Sequence, residues 1–248
     1  MIEGIPKNPL LALFLFGWLA LYLTFIAIKG TNLNIFEFYT LTLIPILIIV
    51  SARGTQFFKA LGFSLNNAPS HIIALRFIIA GIIGWFCGSI VYNIAKSSIF
   101  PADSLVMSVF LSYSPFENIL ATFVIAFHEE IIRIVGMLIF FNYFIEKTKN
   151  YRFSLFLAVL ISSLLFVANH FYAWGRAILI YLIPMTLVVI FFTVSGFILN
   201  EETFGKLGIK TFTIWIPLFA HMSYDFHVLM NLTVYGIPTQ LTILPSYI

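Results

Sequence analysis

The run FVIAFHEEIIRIVGM, residues 123 to 137, sets His128, Glu129, Glu130 and Arg133 among side chains that are otherwise almost wholly apolar. A carboxylate in such a setting is suited to general-base work, provided that a second group compensates its charge. On a helix Arg133 lies i+4 from Glu129 and i+3 from Glu130, so either glutamate can pair with it. The two glutamates themselves diverge by about 100°. One carboxylate can therefore neutralise the arginine and leave the other to take a proton. The non-catalytic alternative is an ion pair that locks two helices, with the second glutamate protonated and inert.

Partners for such a base occur downstream. FVANH closes on His170 with Asn169 beside it, and IWIPLFAHMSYDF carries His221 and Asp225 four residues apart, on one helical face. His227 and Asn231 repeat that spacing closer to the end of the segment, where polar groups reach lipid headgroups at little cost. These two, with His128, are the weaker candidates. His170 taken alone reads as an interfacial histidine bonded to backbone or lipid, and gains weight only from the other groups.

The elements that must hold these residues are membrane helices. Hydrophobic residues make up 61% of the 248-residue chain and charged residues 9%, against roughly 25% charged in a soluble domain. The mean hydropathy is +1.03. The formal charge of +3 is spread thinly, without the clustered basic face of a nucleic-acid binder. The single cysteine, Cys87, reads as a small core hydrophobe rather than a nucleophile. One integral membrane domain over residues 1–248 is expected, an all-α polytopic transmembrane bundle of about seven spans.

Those spans fall near 10–28, 35–50, 72–94, 116–144, 154–171, 177–199 and 213–231, the second short and the fourth long. The first is too long for a signal-peptide core and lacks a small-residue cleavage site behind it. The loops on the N-terminal side hold Lys7, Arg53, Lys59, Lys147, Lys149, Arg152, Lys206 and Lys210, and the opposite loops only Lys29, Lys96 and Arg176. That bias predicts a cytoplasmic N-terminus and an outside C-terminus. The connection from Ser97 to Ser114 is the longest on the outer side, with room for a re-entrant or surface helix. HFYAWGR, residues 170 to 176, reads as an interfacial aromatic belt.

A charged group at mid-bilayer costs about 2.5 to 3.5 kcal/mol, so Glu129, Glu130 and Arg133 must face protein or a water-filled cavity. At 1.5 Å per residue from the cytoplasmic ends, Glu129 and His170 lie about 24 Å deep, His221 about 12 Å and Asp225 about 18 Å. One intramembrane cavity between the fourth, fifth and seventh spans would collect all four.

At these residues the sequence resembles the CPBP/Abi family, the CAAX-protease-like glutamic intramembrane proteases, over about residues 117–231. The family carries EExxxR, FxxxH and HxxxN or HxxxD on three helices. Phe166 with His170 and His221 with Asp225 match the second and third motifs, whereas EEIIR sets Arg133 one residue early. Either Glu129 and Glu130 are the motif pair with a shifted arginine, or Glu129 takes the second position and His128 replaces the first. The resemblance implies a hydrolase that works without a cofactor or metal, in a prokaryotic plasma membrane. A glutamate would activate water, His170 and His221 would orient it, and the third-motif pair would help to hold the oxyanion, with Asn169 a substitute donor. The substrate would be a membrane-embedded protein or peptide tail.

Three other readings fit the same residues. HEEIIR is close to the HExxH zinc signature, but arginine stands where the second histidine belongs, and a guanidinium does not ligate zinc; a zinc site would need His128, Glu129, His170 and His221. A proton-relay transporter would use the same groups, though no inverted repeat is visible. A silent, immunity-type binding protein would keep the cavity without the reaction.

Overall fold

The computed structural model describes residues 2, 4–29, 34, 36–38, 40, 42–44, 59–63, 69–96, 114–170, 178–200 and 212–235. Regular structure among them is helical, as the composition predicts. Six long helices are named here in chain order: α1, Pro9–Lys29; α2, Ser70–Lys96; α3, Pro115–Thr148; α4, Tyr151–Ala168; α5, Ile178–Ile198; and α6, Trp215–Tyr235. They match six of the seven expected spans to within a few residues. Most of the expected second span, the 97–113 connection and the aromatic belt beyond His170 lie outside the described residues.

Windows in four helices are long and apolar enough to cross a bilayer: Pro9–Ile26, Ser70–Ile90, Tyr151–Ala168 and Tyr181–Ile198. The chain is a membrane protein on that ground. Each of these helices keeps large apolar side chains on an outer face, such as Leu10 and Phe14 on α1, Ile82 and Phe86 on α2, Phe156 on α4 and Leu187 on α5. A lipid environment makes that exposure inexpensive.

α3 is different. It is 34 residues long, roughly 50 Å at the α-helical rise, and every residue from His128 to Asn142 is buried. A helix covered on all sides is a central helix, and α1, α4 and α6 pack directly on it. Its start is set by a capping box, in which Ser114 and Glu117 bond each other's backbone amides, with Pro115 in the first turn. Its end is set by Lys149 in the left-handed conformation, after which Asn150 caps α4 by accepting from the Phe153 amide. α3 and α4 thus form an antiparallel hairpin with a two-residue link.

Small residues decide how closely the other helices approach. A Cβ on Gly84 of α2 would come within 1.9 Å of the Ala220 carbonyl oxygen of α6, and one on Gly136 of α3 within 2.6 Å of the Phe16 ring of α1. Close backbone approach of this kind drives helix association where no hydrophobic difference separates lipid from protein. α2 and α6 run parallel, with Phe77 on Phe219 and Trp85 on His227. α1 and α3 run antiparallel, with Phe16 on Phe140 and Tyr22 on His128. Cys87 is buried on α2, as its apolar context predicts.

One polar contact ties the N-terminal segment to the far end of α3. Asn142 donates to the carbonyls of Ile2 and Ile5 at 3.0 and 2.9 Å and accepts from the Ile2 amide at 2.7 Å. Lys7 adds an exposed ion pair to Glu146 at 3.0 Å. Its ammonium donates to the Glu146 carboxylate, which is thereby held below the usual carboxylate range.

Candidate functional site

The middle of α3 delivers the polar cluster. Arg133 and Glu130 are fully buried and joined by two bonds, Nε to Oε1 at 3.1 Å and Nη2 to Oε2. Of the two pairings that helical spacing allowed, this is the i,i+3 one. The forked geometry suits a buried pair, because a bidentate arginine returns more of the desolvation cost than a single contact does.

α6 brings His221 against both glutamates. Its Nδ1 lies 3.0 Å from Glu130 Oε1, and its Nε2 lies 3.4 Å from Glu129 Oε2 and 3.6 Å from Asp225 Oδ1. The last contact is the i,i+4 pair read from the sequence. All of these groups are buried. A ring with a carboxylate oxygen at each nitrogen can take a proton on one side and release it on the other.

The third element is the end of α4. His170 turns its Nδ1 to the Phe166 carbonyl at 3.0 Å; a carbonyl only accepts, so Nδ1 carries the hydrogen. The Phe166 ring stands between the two histidines, with centroids 5.2 Å from His170 and 5.8 Å from His221. The FxxxH spacing therefore places an aromatic spacer between two imidazoles.

Part of this cluster borders a cavity. It is lined by Glu130, His170, His221 and Tyr224, with apolar walls from Phe166 and Val167 of α4 and from Met185, Val188, Val189 and Phe192 of α5. It offers about 20 Å³ to water centres, and one water needs about 10 to 15 Å³ by that measure. The enclosure is small, polar on one side and apolar on the other.

The other sequence candidates lie elsewhere. Asn169 directs its amide to the Phe16 carbonyl at 2.9 Å, tying α4 to α1. His128 is buried against Tyr22, 4.4 Å between centroids, and among the described residues neither ring nitrogen has a hydrogen-bond partner. His227 faces α2, with Trp85 at 4.4 Å and Ser89 Oγ at 3.5 Å. Asn231 bonds the His227 carbonyl of its own helix at 2.9 Å. Among the described residues no group of three or more His, Cys, Asp and Glu side chains is arranged to hold a metal ion, so the four donors of the zinc alternative do not converge as a ligand set.

α5 was absent from the expected site, which was drawn between the fourth, fifth and seventh spans. It supplies one cavity wall, and its Thr193 hydroxyl accepts from Arg133 Nη1. The only sequence sign was a few hydroxyls, Thr186, Thr193 and Ser195, in a mainly apolar stretch. Comparison with known proteins returns no matching family model, no matching curated protein and no matching solved structure.

Proposed function

We propose that this membrane protein is an intramembrane endopeptidase in which a buried glutamate activates water, as the resemblance to the CPBP/Abi proteases implies. The observation that carries the reading is the convergence of Glu129, Glu130, His221 and Asp225, from two helices, beside a cavity with room for a water. A structural ion pair needs Glu130 and Arg133 only. It has no use for a histidine placed between two glutamates, or for a second histidine across a void.

The roles follow from the bonds each group already makes. Glu130 accepts from Arg133 twice and faces His221, so three of its roughly four acceptor directions are occupied. It is the fixed wall of the cavity. Glu129 stands behind His221, at its Nε2, and takes the proton by way of that ring as the water oxygen bonds to the scissile carbonyl carbon and the carbonyl pair moves onto oxygen. Collapse of that intermediate breaks the C–N bond, and the proton passes to the leaving amine. His170 and His221 orient the water, and Asp225 acts through His221, since an ionised carboxylate cannot donate to an oxyanion.

In this reading about seven helices cross the bilayer, α3 and α6 among them, with the N-terminus cytoplasmic and the C-terminus outside. The Asn142 clamp and the Lys7–Glu146 pair suit that topology, because both join segments assigned to the cytoplasmic face. The substrate is the tail of a membrane-associated protein or peptide, presented laterally.

The test is cleavage of a membrane-embedded peptide by the purified protein and by Glu129→Gln, Glu130→Gln, His170→Ala and His221→Ala variants, with and without chelator. Loss of cleavage in both glutamine variants, insensitive to chelator, is the expected result. Wild-type-like cleavage by both would overturn the glutamic mechanism, and chelator-sensitive cleavage with stoichiometric metal would replace it with a metallopeptidase. Ion flux in liposomes without cleavage would make the protein a transporter.

A further inference from the structure

We propose that Thr193 on α5 is a positioning residue for the buried acid/base cluster, acting through Arg133. The hydroxyl has one proton, and it goes to the Val189 carbonyl one turn back, at 2.9 Å. Its oxygen is thereby turned as an acceptor toward Arg133 Nη1, and the direction of that bond is settled because a guanidinium only donates.

The consequence lies in how the guanidinium is held. Nε and Nη2 meet Glu130 on the same helix, three residues away. Those two bonds alone tie arginine and glutamate to each other but to no other element. The third point, Nη1 on Thr193, comes from a different helix and fixes the plane of the fork relative to α5. Glu130 Oε1, which accepts from Arg133 Nε, is the same oxygen that faces His221 Nδ1 at 3.0 Å. The position of the His221 ring between the two glutamates thus depends on a hydroxyl that touches neither the cavity nor the ring. The adjacent residue Phe192 lines the cavity and packs 6.2 Å from His221, so α5 sets the cluster from two sides at once. Thr193 itself is completely buried.

The inference rests on the peptidase reading for its effect on rate, not for the link itself, and the test separates the two. Thr193→Val keeps the shape and removes the acceptor, Thr193→Ser keeps the acceptor, and Thr193→Cys supplies a weak one should the valine variant not fold. The full chain in detergent is labelled with 15N-histidine, the His221 ring signals being assigned by their loss in His221→Ala. In parallel, kcat and KM are measured on a membrane-embedded peptide. In Thr193→Val the His221 ring signals should be displaced and kcat should fall about tenfold with KM within about twofold, the scale of one unmade bond to a buried charge. Thr193→Ser should restore both, and Thr193→Cys should fall between. Unmoved His221 signals in the valine and cysteine variants, or equal effects from valine and serine, would overturn the proposal. A wild type that cleaves nothing, with His221 signals still displaced in Thr193→Val, would sink the peptidase reading and leave the positioning link standing.

Discussion

Two histidines six residues apart on α6 occupy opposite environments. His221 faces α3 and has three carboxylates within 3.6 Å. His227 faces α2 and meets the Trp85 ring, the Ser89 hydroxyl and the flat backbone at Gly88. Each heads an i,i+4 pair with Asp225 or Asn231, and along the sequence the two pairs look alike. Six residues amount to about 240° around the helix, so one face of α6 builds a polar cluster and the other a small-residue seam. The histidine and the spacing were common to both cases; the neighbouring helix made the difference.

The largest expected effect strikes the polar side of this contrast. Arg133→Met leaves Glu130 buried without its cation and should lower stability by about 3 to 5 kcal/mol, measured by unfolding in detergent. Loss of less than about 1 kcal/mol would mean that the pair is a surface-like ornament rather than the anchor of α3.

The sharpest division between the two faces comes from activity. His221→Ala should reduce cleavage by about two to four orders of magnitude, the range of a lost acid/base group. His227→Ala should leave kcat within about twofold, as for a packing residue remote from the chemistry. Equal losses would dissolve the distinction between the faces.

On the seam side, Gly84→Ala drives a methyl into the Ala220 carbonyl, whereas Gly81→Ala meets nothing within 4 Å. The first should cost about 1 to 3 kcal/mol by overpacking, and the second should be neutral or slightly stabilising because alanine is the better helix former. Thermal melts of the two variants compare them directly.

The smallest effect is at the periphery of both. The Glu146 carboxyl is held down by Lys7, so the stability it contributes is present above the ordinary carboxylate range and fades as pH falls through its lowered value. Glu146→Gln should therefore flatten the acid side of the Tm-against-pH curve slightly, and an unchanged curve would show the pair to be inert.

Much of this molecule is readable in its sequence. Long apolar runs carry their own signal, because backbone groups in lipid must bond internally and a helix is the local way to do so. Six helices accordingly appear where hydropathy puts them. The burial of the cluster was also legible in part, since Glu129, Glu130 and Arg133 are too costly in an apolar run to face lipid. The His221–Asp225 contact followed from helical spacing alone. Thr193 was not legible, for a single threonine in a membrane helix ordinarily bonds its own preceding turn, as this one also does to Val189.

What the sequence determined by itself is the helical membrane architecture and the set of residues able to do chemistry, because both depend on local composition and on the 3.6-residue period. What only the tertiary structure decided is partnership: Glu130 at i,i+3 rather than Glu129 at i,i+4 as the mate of Arg133 in a bidentate pair, His221 rather than His227 among the carboxylates, and α5 as a wall of the cavity. The physical reason is that hydrogen bonds and charge pairs act over a few ångströms. Which groups come that close depends on how whole helices rotate and approach, and that is settled by packing at positions such as Gly84 and Gly136, far along the chain from the residues they bring together.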